Sequence, residues 1–134
     1  MRLIVLVMSL IVIAESTAAG PPDSRDAPER GRYLVERVAM CGECHTPRRG
    51  DGTLDRDRWL DGAPVVVEPP AFVTAWAIQA PRIAGLATYT DEQALRLFTE
   101  GLARNGQPLR PPMPQFRFSR EDAEAVLAYL RAQR

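Results

Sequence analysis

Residues 39–50, AMCGECHTPRRG, hold both cysteines and the only histidine of the 134-residue chain. Three chemistries compete for Cys41-Gly42-Glu43-Cys44-His45. A thioredoxin-like dithiol sits at the start of a helix that follows a strand, within an alternating strand and helix pattern. Here the preceding segment, ERGRYLVERVAM, has helical spacing, and no such alternation exists. A structural zinc site needs four ligands, typically cysteine and histidine; three such residues in the whole chain are too few. The third chemistry is c-type haem attachment, in which each thiol adds to one haem vinyl group and the adjacent histidine ligates the iron. Two intervening residues let the thiols reach neighbouring pyrrole rings and aim His45 beneath the metal. Gly42 leaves the backbone free to approach the ring.

The sixth iron position is argued by elimination. The chain has no second histidine and no lysine, since all seventeen of its cations are arginine. Methionine is the remaining common ligand. Of the four methionines, Met1 and Met8 fall in the leading segment, and Met40 adjoins Cys41 on the histidine side, too constrained to reach the far face. Met113 remains, in PLRPPMPQF, where Pro111, Pro112 and Pro114 limit the motions of the loop. A lone methionine is ordinarily core filling; the haem motif and the absence of rivals favour ligation. A methionine ligand raises the reduction potential relative to a second histidine and closes the iron to exogenous ligands.

Length bounds the rest. A chain of this size buries one core, so one domain is the expectation. Residues 1–19 read as a cleaved signal peptide: Arg2, an apolar run from Leu3 to Ala14, then small residues before Gly20. That run is shorter than the roughly 20 residues that span a bilayer, so the mature form is expected to be exported to the periplasm without a membrane span. Residues 20–27 form a proline-rich leader, and 28–134 the domain. Seventeen basic against seventeen acidic residues argue against a nucleic-acid partner.

Along the domain, a first helix from Pro28 is expected to run straight into Cys41, with Tyr33, Leu34, Val38 and Ala39 on its apolar face. From Thr46 to Tyr89 the pattern dissolves into turns, with a brief strand or, with more weight, an extended loop at Val65–Val67 between prolines. A second helix follows Thr90, capped with Gln93, carries Ala94, Leu95, Phe98 and Leu102 on one face and ends near Gly101. A third follows Ser119, capped with Asp122, and turns Ala123, Val126, Leu127 and Leu130 inward.

With Tyr33 before the motif, Met113 after it and AVLAYLRAQR at the end, residues 28–134 resemble a class I c-type cytochrome. The resemblance implies an all-α fold, three or more helices wrapped around one covalently bound haem c with long irregular loops. Cys41 and Cys44 would hold the haem, with His45 and Met113 as the axial pair. It further implies that Gly31 and Tyr129 mediate a close crossing of the first and last helices. It makes the Pro81 carbonyl the acceptor for the ring N–H of His45; Arg82 stands where the family usually has asparagine, and either meets a propionate or faces solvent. The stretches CGECHTPR and GQPLRPPMP are closest to small cytochromes and cytochrome subunits serving bacterial periplasmic dehydrogenases. The implied function is one-electron transfer between redox proteins such as a dehydrogenase, an oxidase or another cytochrome, with no substrate bond made or broken. The alternative is a haem peroxidase or gas-binding sensor with an open distal site. Two features stay open: the long stretch 46–80, with Trp59 and Trp76, either covers or wraps the haem or docks a partner, and the four arginines between Gly101 and Arg120, without an acid among them, either steer an acidic partner or neutralise propionates.

Overall fold

The computed structural model describes residues 27–134. The expected signal peptide, and all of the leader except Ala27, lie outside the described residues. Four α-helices, α1 (Ala27–Tyr33), α2 (Cys41–His45), α3 (Asp91–Glu100) and α4 (Arg120–Ala132), carry the architecture, with one antiparallel pair of two-residue strands, β1 (Ala63–Pro64) and β2 (Gln79–Ala80). The chain is helix-rich with little strand, as an all-α reading requires.

α1 does not run straight into the cysteines. After Tyr33 it widens into a π-helical segment, Leu34–Val38, closed by the Ala39 N–H on the Leu34 carbonyl at 2.7 Å. Met40 then takes a left-handed conformation (φ 47°, ψ 43°) and starts α2 afresh. The wider turns slow the rotation of successive side chains. The buried face is therefore Gly31, Leu34 and Val35, whereas Tyr33 and Val38, expected inside, are about half exposed.

α3 and α4 form where local signals place them. The Thr90 side chain accepts the Gln93 N–H while the Gln93 side chain accepts the Thr90 N–H, and Gly101 closes α3 in a left-handed conformation (φ 69°, ψ 28°). Apolar spacing buries Ala94, Leu97 and Phe98; Leu95 and Leu102 are only half buried. Ser119 accepts the Asp122 N–H at 3.1 Å, and α4 buries Ala123, Val126, Leu127 and Leu130 as expected. Arg131, near the α4 C-terminus, reaches the carbonyls of Gly85, Leu86 and Tyr89 and the carboxylate of Asp91, pinning the turn that enters α3.

The core lies where α1 and the π segment cross α4, with α3 and Leu60 completing it. The crossing is close because Gly31 has no side chain: a Cβ there would lie 2.0 Å from the Ala125 carbonyl oxygen and 2.8 Å from the Tyr129 Cβ. Between α2 and α3 the chain makes a long excursion. Its ends pair as β1 and β2, with Ala63 opposite Ala80 and Pro64 opposite Gln79. The pairing sits just before Val65–Val67; Val65 adds one further bond, its N–H donating to the Ile78 carbonyl at 3.0 Å. The pairing goes no further than Val65.

Candidate functional site

The five-residue helix α2 displays Cys41 half buried, Cys44 exposed, and His45 only 5% exposed; both cysteines are free thiols. Burial pushes the Cys41 thiol up to about 11, so it is held in the protonated form. His45 is oriented from 36 residues away: its Nδ1 lies 2.7 Å from the Pro81 carbonyl oxygen. A carbonyl only accepts, so Nδ1 carries the proton and Nε2 keeps its lone pair. Burial holds the His45 pKa below its ordinary value, outweighing the bond to Pro81, so the ring is neutral near neutral pH. That is the tautomer and charge an iron ligand needs.

The frame around His45 is built from adjacent backbone. The His45 carbonyl accepts the Gly62 N–H at 2.7 Å. Gly62 sits at φ 90°, and a Cβ on it would come within 2.9 Å of Arg82 N, Ala80 O and Pro81 C, so only glycine lets this turn lie against the segment that holds the imidazole. Thr46, 1% exposed, accepts the Leu60 N–H on its hydroxyl at 3.0 Å. Arg82, half exposed, forms an ion pair with Asp61 across the same turn. Thr46 and Asp61 were not evident as site residues, because their partners are distant in sequence and neither belongs to a motif.

Trp59 packs on the motif itself. A Cβ at Gly42 would clash with the Trp59 ring, so glycine here lets the indole pack directly on the motif. Arg56 covers the indole at 4.2 Å. The Trp59 Nε1–H donates to the Tyr129 hydroxyl at 3.3 Å, and that hydroxyl donates to Glu36 at 2.8 Å, which joins α4, the π segment and the loop beside α2. Trp76 Nε1–H donates to the Val67 carbonyl at 2.9 Å. Both indole N–H groups therefore have protein acceptors.

The Tyr129 phenol is pushed from 10.0 up to about 12, by burial first and by Glu36 next. Its folded-state value lies above its unfolded one, so its contribution to stability is complete below pH 10 and is lost as pH rises toward 12. Urea unfolding of the holoprotein at stepped pH should show stability falling through that window. Tyr129→Phe should flatten the fall; an unchanged slope would mean that another group carries it.

Met113 lies on the loop between α3 and α4, half buried, its N–H donating to the Arg110 carbonyl at 3.2 Å. α2 brings Cys41, Cys44 and His45 together directly. The Met113 loop is tied to the same region through the long excursion, where the Ala77 N–H donates to the Pro111 carbonyl at 2.7 Å. The residues fit a covalently bound haem: two free thiols on one short helix, a neutral imidazole held by its far nitrogen, and a thioether on a proline-bracketed loop. Among the described residues no helix is long and apolar enough to cross a membrane.

No family model matches the chain. Over 36 residues, 27% of its length, it is 67% identical to a protein of Cereibacter sphaeroides named diheme cytochrome c-type. Over 108 residues, 77% of its length, it is 29% identical to the fructose dehydrogenase cytochrome subunit of Gluconobacter japonicus. The chain spans only 12% and 21% of the lengths of these two curated relatives. With the CxxCH helix and the held imidazole already described, these likenesses support a c-type cytochrome resembling the cytochrome subunits of dehydrogenases.

Proposed function

We propose that this chain is a single-haem cytochrome of class I type, its helices wrapped around the haem, acting as a one-electron carrier rather than an enzyme. Cys41 and Cys44 hold haem c, and His45 and Met113 are its axial ligands. The observation that carries this reading is the His45 Nδ1–H bond to Pro81, which leaves Nε2 as the only free ring nitrogen, on a helix that also displays two free thiols. When bound, the haem supplies a reversible ferric/ferrous couple. The protein's part is to keep the imidazole neutral and oriented, to hold a thioether in place, and to exclude competing ligands.

The location proposed is the periplasm, reached by way of the signal segment 1–19, and the partner proposed is a dehydrogenase for which this chain serves as electron acceptor or subunit. The likeness to a fructose dehydrogenase cytochrome subunit supports the partner class. A visible spectrum tests the site. The expected result is a low-spin iron with the far-red sulfur-to-iron band in the ferric state and no carbon monoxide binding in the ferrous state. High-spin iron that takes up carbon monoxide would instead support the peroxidase or sensor class.

Charge on the Met113 loop bears on the partner. Arg104, Arg110 and Arg117 have no carboxylate partner among the described residues, whereas most of the other arginines are paired with one. Arg120 of the same group is paired, with Glu124 at 2.9 Å. A local cationic surface on a neutral protein steers association with an acidic partner. Electron transfer to such a partner is expected to slow roughly tenfold between low and physiological salt, and the Arg104→Gln/Arg110→Gln protein should lose most of that dependence. A flat salt profile in the unaltered protein would remove steering from the account.

A further inference from the structure

We propose that residues 77–81 form a strap across the edge of the haem pocket. Its Ala77 N–H would position the Met113 loop, and Ile78 would shield the haem edge. The proposal rests on the reading of His45 and Met113 as the axial pair.

The strap is tethered at both ends to the segments that carry the two ligands. At one end the Pro81 carbonyl accepts the His45 Nδ1–H at 2.7 Å, and Ala80 pairs with Ala63, which follows the Gly62 bonded to the His45 carbonyl. At the other end the Ala77 N–H donates to the Pro111 carbonyl at 2.7 Å, two residues before Met113. Four residue steps of at most about 3.5 Å separate these tethers, a reach of about 14 Å. Axial ligands approach a flat macrocycle from opposite faces. With His45 and Met113 as the axial pair, a segment this short that is bound to both ligand segments would cross the rim.

Ile78 lies inside that short span. It is 82% exposed, although its backbone is held on both sides: its carbonyl accepts the Val65 N–H at 3.0 Å, and its neighbour Ala77 is the residue bonded to Pro111. Trp76 stiffens the approach through its bond to the Val67 carbonyl. What singles out Ile78 among the exposed apolar residues is this fixed backbone between the two tethers, where the edge of the macrocycle would be the surface brought to it. Ala80, the other apolar side chain between Ala77 and Pro81, is already buried at 6% exposure.

The test uses the holoprotein. Ala77→Pro removes the N–H donor; Ala77→Gly keeps it. Ferric protein is titrated with imidazole, which competes with the thioether, and loss of the far-red band is followed. Ala77→Pro is expected to bind imidazole about tenfold more tightly, the weight of one lost hydrogen bond, while Ala77→Gly stays near the unaltered protein. Ile78→Thr is expected to lower the reduction potential by admitting water to the haem edge. If both Ala77 variants titrate like the unaltered protein, the strap is overturned while the axial pair stands. If the unaltered protein lacks the band, the axial reading itself fails. Should the proline variant not assemble, Ile78→Thr decides, and an unchanged potential with unchanged imidazole affinity overturns the proposal.

Discussion

Gly31→Ala is expected to destabilise the holoprotein by about 3 kcal/mol, toward the upper end of what overpacking a tight contact costs. The new methyl group would stand 2.0 Å from the Ala125 carbonyl oxygen, 2.7 Å from its carbon and 2.8 Å from the Tyr129 Cβ. Two of the three atoms are backbone, so no side chain can turn away, and α1 and α4 have to separate along their crossing. Separation also strains the Tyr129 bond to Glu36, which spans the same interface at 2.8 Å. Helix propensity points the other way, since alanine is better than glycine in a helix interior by about 1 kcal/mol. The sign of the measured change therefore decides between propensity and packing. Denaturant unfolding should show a large fall in midpoint with little change in slope; a midpoint at or above that of the unaltered protein would refute the close crossing.

On the proposed ligand set, Met113→Ala should leave haem attachment intact, because thioether bonds to Cys41 and Cys44 would not depend on it, while removing the far-red ferric band and opening the ferrous iron to carbon monoxide. The reduction potential should fall, since a methionine ligand is one of the protein's means of raising it. Met40→Leu is the matched control. Met40 is 56% exposed and starts the helix that carries Cys41 and His45, so its removal should change none of these readouts. If the Met113 variant keeps the band, the sixth ligand is another group and the open-site reading returns.

The parts that could be read from the chain alone share one property: their partners are near in sequence. The CxxCH run lies within five residues, and the caps of α3 and α4 each lie within four. The misread parts depend on distant partners or on accumulated geometry. The periodicity of ERGRYLVERVAM assumes regular α-helical turns; the π segment breaks that assumption after Tyr33 and moves Val38 to the outside. Nothing in the local pattern shows where the N–H groups of Trp59 and Trp76 go. Their acceptors are 70 and 9 residues away, Tyr129 and the Val67 carbonyl. The resemblance to a family supplied what local pattern could not at two places, the Pro81 acceptor and the Gly31 and Tyr129 crossing, and both contacts are present.

The sequence by itself determined the chemistry this chain can offer: two thiols and one imidazole at haem-attaching spacing, one methionine left as a distal candidate, and no lysine or second histidine to compete with it. Those are matters of inventory and short spacing, set before the chain folds. Only the tertiary structure decided how that inventory is held. The Pro81 carbonyl selects the His45 tautomer, the Gly62 and Asp61–Arg82 turn closes around it, and the Ala77 bond ties the Met113 loop to the same frame. Each of these joins residues at least seventeen positions apart. Such contacts cannot be read from local preference, because closing loops of this length costs entropy that only the assembled tertiary structure offsets.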